Sequence, residues 1–143
     1  MSIRVGHRSG LVAASAAVLL AAATGCDSSR GVVPVAGTIR FAGKAPPASG
    51  YVYFIPLDPS TAESDDAPRS GTALFTKDGS FEVSTFREGD GLRPGRYEAR
   101  VDCSLPAEAH AAAKSAVPAS FKPPEVTIPG DGPRPVVVEI DVR

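Results

Sequence analysis

The sequence predicts an all-β protein: a single sandwich of seven short strands behind an N-terminal targeting segment. Three observations predict it. Apolar residues come in clusters of strand length that alternate with polar ones, the pattern of a half-buried strand. Turn residues separate the clusters at short, regular intervals, with fourteen Gly and fourteen Pro in 143 residues. Together these make roughly a fifth of the chain, short of the share that marks a disordered sequence. The third is the scarcity of helical pattern, since only the Ala-rich stretch 107–116, bracketed by Pro106 and Pro118, has the composition of a short helix.

Residues 1–10 carry Arg4, His7 and Arg8 and no acidic residue, and 11–23 are apolar or small throughout. A run of roughly 13 is too short to span a bilayer, so a basic start with a short apolar centre reads as a secretory signal peptide over 1–25. The small residues Ala23-Thr24-Gly25 before Cys26 resemble the bacterial lipobox, with Ala23 standing where that motif usually has Leu. The resemblance implies cleavage after Gly25 and acylation of Cys26. Two or more acyl chains make attachment to a membrane stable, where one holds only marginally. The plainer alternatives are an ordinary signal peptide cleaved nearby, with Cys26 incidental, or an uncleaved anchor. Residues 26–34 then form a lipidated N-terminus and tether, and 35–143 the folded domain. Asp27 is similar to a retention signal of some bacterial lipoproteins, and the choice of inner or outer membrane stays open.

The mature chain would have about 118 residues, enough for one core without staples. Its net charge moves from −1 to about −3 as Arg4 and Arg8 leave with the leader, and its basic residues are scattered. No basic footprint for nucleic acid results. Once Cys26 is acylated, Cys103 has no partner for an intramolecular disulfide and reads as a small apolar core residue at a strand end.

Within the domain, Val35, Ile39 and Phe41 share one face of the first strand, and Ala42-Gly43-Lys44 turns the chain. Residues 51–55 are aromatic and β-branched, which suits a packed strand, and Pro56 ends its ladder. Residues 57–69 are a polar, acidic loop. The segment 70–76 and the segment from Phe81 to Val83 flank Lys77-Asp78-Gly79-Ser80, and Asp-Gly between alternating runs is a strong hairpin signal. A loop over 87–91 leads to the turn at Pro94-Gly95 and a strand in which Tyr97, Ala99, Val101 and Cys103 are in phase. Residues 125–128 and 136–142 supply the last two strands.

Taken together, Gly37-Thr38-Ile39-Arg40-Phe41-Ala42-Gly43-Lys44-Ala45-Pro46, Tyr53-Phe54-Ile55-Pro56, the run TKDGSF over 76–81, and Leu92-Arg93-Pro94-Gly95-Arg96-Tyr97 resemble the carboxypeptidase regulatory-like domains of small bacterial envelope lipoproteins. Val117-Pro118-Ala119-Ser120-Phe121 is similar to that family's Val/Ile-Pro-x-x-Tyr/Phe segment. The resemblance covers nearly all of 35–142 and implies a seven-stranded Greek-key β-sandwich of the transthyretin/prealbumin type. It also implies an accessory or surface module without catalysis. The Ala-rich stretch is a departure from the family.

Candidate sites are few. Nucleophilic catalysis needs a nucleophile held against an oriented base. His110 stands alone beside Glu108, so no catalytic residue is assigned. The ureide hydrolase among transthyretin-like folds has a His-rich site and a C-terminal tetrapeptide that this chain lacks. Asp65-Asp66, Asp78 and Asp90 offer oxygen atoms, but without the spacing of a calcium loop, and no Cys/His grouping suits zinc. Asp78 is accounted for by its hairpin and Asp90 by a turn. No metal or cofactor is expected. Tyr51 and Tyr53 lie two apart on one strand and point the same way. They either fill the core or its edge, or stand exposed as a surface for stacking a sugar ring. The expected partners are therefore the membrane, through the lipid, and an envelope protein or polysaccharide.

Overall fold

A computed structural model describes residues 31–58, 67–107 and 112–143. The leader, Gly25, Cys26, Asp65-Asp66 and His110 lie outside the described residues. Nine strands are present among the described residues: β1 (Val35–Phe41), β2 (Gly50–Pro56), β3 (Gly71–Phe75), β4 (Ser80–Glu82), β5 (Gly95–Asp102), β6 (Ser104–Leu105), β7 (Lys114–Ser115), β8 (Glu125–Ile128) and β9 (Val136–Val142). Seven of them make one sheet in the order β8-β5-β2-β3-β4-β1-β9, and β6 and β7 form a separate two-stranded ribbon. The seven correspond to the seven runs expected from alternation. No helix occurs among the described residues.

The sheet has a narrow waist. β2 pairs with β3 over five positions and with β5 over six, and β1 pairs in parallel with β9 over seven. β3 and β4 share the single pair Phe75↔Phe81, with an isolated bridge Thr72↔Ser84 beyond the strand end. The sparse pairing along that seam lets the sheet turn a corner there. It thus consists of a four-stranded half, β8-β5-β2-β3, and a three-stranded half, β4-β1-β9.

Inward side chains of both halves build one core. Val52 and Phe54 of β2, Phe75 of β3, Tyr97 and Ala99 of β5 and Ile128 of β8 join Val35 and Ile39 of β1, Phe81 of β4, and Val138, Ile140 and Val142 of β9. Phe54 and Phe81 meet across the core at 6.2 Å between ring centroids, tilted by 46°. Two glycines make room for such rings. A Cβ on Gly37 would lie 2.4 Å from Cζ of Phe81, its ladder partner, and one on Gly50 would lie 2.6 Å from Cζ of Phe75. Any side chain at either position would displace a core phenylalanine.

Residues ahead of β1 also join the fold. Val33 is buried and bridges Leu92 through two backbone hydrogen bonds, and Pro34 O accepts the N–H of Val136. An apolar Val-Val-Pro run gains more from the core than from water, so the folded domain takes in part of 26–34. The Ala-rich stretch departs from expectation. Its described residues are not helical, and Lys114–Ser115 pair instead with Ser104–Leu105, while the Ala116 N–H bonds to Cys103 O. Tertiary pairing overrides the local propensity of alanine here.

Turn chemistry fixes the rest. Tyr97, fully buried, donates from its hydroxyl to the carbonyl of Arg93 at 2.8 Å, four residues upstream. That bond is the tyrosine-corner arrangement of β-sandwich proteins. Burial pushes the Tyr97 phenol up to about 12, against a smaller opposing pull from Arg93. Val117 and Phe121 pack against the core, with a turn closed by the Phe121 N–H on Pro118 O.

Candidate functional site

The outward face of the four-stranded half holds the residues singled out from sequence. β2 alternates cleanly, with Val52 and Phe54 inward and Tyr51 and Tyr53 outward. The two tyrosines are 45% and 39% exposed, so they do not fill the core. Their rings lie within 26° of parallel, with centroids 6.1 Å apart. Cross-strand register decides their neighbours, because directly paired residues share a face. Tyr51 sits between Leu74 of β3 and Asp102 of β5, and Tyr53 between Thr72 and Arg100. Leu74 is itself 56% exposed, an apolar residue continuing the aromatic surface sideways.

Charged groups around this surface pair with one another. The Arg100 Nε lies 2.5 Å from Glu98 Oε1. Arg96 donates through Nε and Nη2 to the two carboxylate oxygens of Asp58, each at 3.2 Å, and through Nη1 to Glu125 at 3.1 Å. The Asp58 bond and charge, then the Glu125 charge, push the Arg96 guanidinium further up. Apart from the half-buried Glu98 these groups are well exposed and screened, so the pairs contribute little to stability. The Glu98 bond holds the Arg100 side chain down on the face that carries Tyr53.

Past Leu74 the surface falls into an open hollow of about 500 Å³ at the corner where β3 and β4 part. Its floor is Ala36, Gly37, Leu74 and Phe81. Its rim brings Ser84, Glu82 and Glu88 together with the hydroxyls of Thr76 and Ser80. The tyrosines and the hollow share Leu74 and form one continuous outer surface.

Of the aspartates considered as oxygen ligands, the two described ones, Asp78 and Asp90, are engaged in their own turns. Asp78 Oδ1 accepts the hydroxyls of Thr76 and Ser80 and the Ser80 N–H, which holds its carboxyl down at about 2. Asp90 accepts three backbone N–H groups, from Thr85 at 2.7 Å and from Phe86 and Arg87 at 3.0 Å. Among the described residues no group of three His, Cys, Asp or Glu is placed to hold a metal ion. Cys103 is buried, with its thiol 3.5 Å from Ala48 O, and desolvation is the main cause that raises its pKa. It occupies the core position expected of it. The Phe86 ring lies between the guanidinium carbons of Arg69 at 5.5 Å and Arg93 at 5.6 Å, a stacking that braces the loop after β4.

Sequence reasoning found the tyrosines and missed Thr72, Leu74, Arg100 and Asp102 beside them. Their phase was readable, since Ala73 and Phe75 point inward and leave Leu74 outward. Which of them lies beside which tyrosine depends on strand register, which alternation alone does not supply. Compared with models of protein families, with curated proteins and with solved structures, the chain matches none of them.

Proposed function

We propose that this chain is a lipid-anchored, non-catalytic module of the bacterial cell envelope, docking a protein or matrix partner through the outward face of β2. The carrying observation is the pair Tyr51 and Tyr53, exposed together and nearly parallel on the outward face of β2. Aromatic side chains left in water on a rigid strand gain most by contact with a partner, because their ordering cost is already met by the fold. The anchor rests on the sequence: a basic start, a short apolar run, and Thr24-Gly25 before Cys26.

The finer fold reading belongs with this proposal. A Greek-key sandwich of the transthyretin/prealbumin type, as in carboxypeptidase regulatory-like domains, is supported by the four-plus-three division of the sheet and by the Tyr97 corner. The same motifs, quoted above, carry the envelope assignment.

The test is crosslinking in intact source cells, with mass spectrometry of material captured by wild type and by Cys26→Ser. Wild type is expected in the membrane fraction, carrying acyl label and one dominant partner. Cys26→Ser is expected to leave the membrane and lose that partner. Equal solubility of the two forms with no specific partner would overturn both the anchor and the docking role.

A further inference from the structure

We infer that the outward face of β2, with the hollow beside it, binds a neutral polysaccharide strand. The inference rests on the docking role proposed above and names the chemistry of the partner.

Shape comes first. Small molecules are usually held in concave sites that bury most of their surface. Tyr51 and Tyr53 instead stand on an open sheet face, and Leu74 carries that face into the hollow over β3 and β4. A platform that runs into a trough suits an extended chain, with rings on the tyrosines and the next units in the hollow.

The chemistry of the rim narrows the ligand. Each aromatic ring has polar neighbours at strand spacing: Asp102 beside Tyr51, and Arg100 and Thr72 beside Tyr53. The hollow adds the carboxylates of Glu82 and Glu88 and the hydroxyl of Ser84. Apolar faces bordered by donors and acceptors match a pyranose, which has C–H groups on its faces and hydroxyls around its edge. Sugar hydroxyls can replace water at these charged groups one bond at a time. A protein surface would have to desolvate them, at a cost that rises with every group left imperfectly paired.

Charge excludes the anionic alternatives. Arg100 and Arg96 are matched by Glu98, Asp58 and Glu125, which leaves Asp102, Glu82 and Glu88 in excess along the surface. A uronate, sulfated or phosphate-bearing polymer would meet net repulsion there.

Affinity electrophoresis of the full-length chain in detergent tests this, with glycogen and hydroxyethyl cellulose as neutral polymers, alginate as the anionic one and chitosan as the cationic one. At least one neutral polymer should retard the wild type, and the double variant Tyr51→Ala with Tyr53→Ala should weaken binding at least tenfold. The Tyr51→Phe and Tyr53→Phe pair keeps the rings and should keep most of the retardation. Thermal melting of the alanine variant should match wild type, since neither ring is in the core. Retardation by no neutral polymer, by alginate or chitosan alone, or equally with and without the tyrosines would overturn the inference. A protein crosslinked through Tyr53 in a chain that ignores every polymer would also overturn it, while leaving the docking role standing.

Discussion

Around β4, β1 and β9, carboxylates are turned onto the backbone. Asp78 closes the β3–β4 hairpin, Asp90 gathers three N–H groups of the loop that follows, and Asp141 accepts the Gly43 N–H at 3.1 Å. Around β2, β5 and β8 the charged groups face one another across an open surface, as Arg96 does with Asp58 and Glu125, and Arg100 with Glu98. The first set accepts backbone N–H groups in turns, adding to the backbone bonds that close the same turns. The second set leaves every backbone bond intact and is free to rearrange around a ligand. Asp78, Asp90 and Asp141 therefore read as structural, and the charged residues beside the tyrosines as contact surface.

Substitutions on β2 test that division most strongly, since one strand presents both kinds of side chain. Phe54 is fully buried at the centre of the core, and Phe54→Ala should cost about 3–5 kcal/mol from lost burial and the cavity left behind. Tyr53→Ala, one residue away on the other face, should stay within about 0.5 kcal/mol. Urea unfolding monitored by tyrosine fluorescence gives both values. A Tyr53 loss approaching that of Phe54 would mean that the outward face is packed rather than available.

The next effect separates the two uses of charge. Asp90→Ala strips three backbone donors of their acceptor, and charge-assisted bonds of this kind should make it cost about 2 kcal/mol. Glu98→Ala removes only the half-buried partner of an exposed Arg100 and should change stability by less than about 1 kcal/mol. Equal losses in chemical denaturation would erase the distinction between the halves.

The seven strands were legible because each half-buried run keeps period two, and Asp78-Gly79 marked the hairpin between β3 and β4. The inward positions of β5 followed from the phase of Tyr97, Ala99 and Val101, which Cys103 continues just past the strand end. Pairing order was not legible, since nothing local says that β1 lies between β4 and β9 or that β1 and β9 run parallel. The same gap explains the site. Alternation places Tyr51 and Tyr53 on one face, but two faces are available, and only the assembled sheet chooses the outer one. The Ala-rich stretch misled because alanine favours helix in isolation, while Lys114–Ser115 obtain their backbone partners from β6.

A smaller effect lies in the turn after β1. Phe41 and Lys44 exchange both backbone bonds around Ala42 and Gly43, which take φ of +49° and +76°. A two-residue hairpin of this form needs φ above zero at both central positions, and alanine there crowds its Cβ against the backbone. Ala42→Gly should stabilise the protein by about 1 kcal/mol, seen as a higher urea midpoint with an unchanged slope. A loss instead would show that Ala42 contributes packing that outweighs its backbone strain.

The smallest effect concerns pH, because the group responsible is fully exposed. Hydrogen bonds from Thr76 and Ser80 hold Asp78 at about 2 in the folded chain against an ordinary carboxyl value of 3.8. A carboxylate depressed on folding adds stability only while it is ionised, so its contribution is complete above about pH 4 and disappears as pH falls through about 2. Asp141, lowered mainly by the Gly43 N–H and then by Arg143, acts in the same direction. Stability should therefore decline on acidification below about pH 4, and Asp78→Asn, which cannot titrate, should decline less steeply while being less stable at neutral pH. Two parallel acid limbs would show that the hairpin carboxylate is no better held than one in an unfolded chain. The turns of the three-stranded half would then owe their shape to glycine and packing rather than to aspartate.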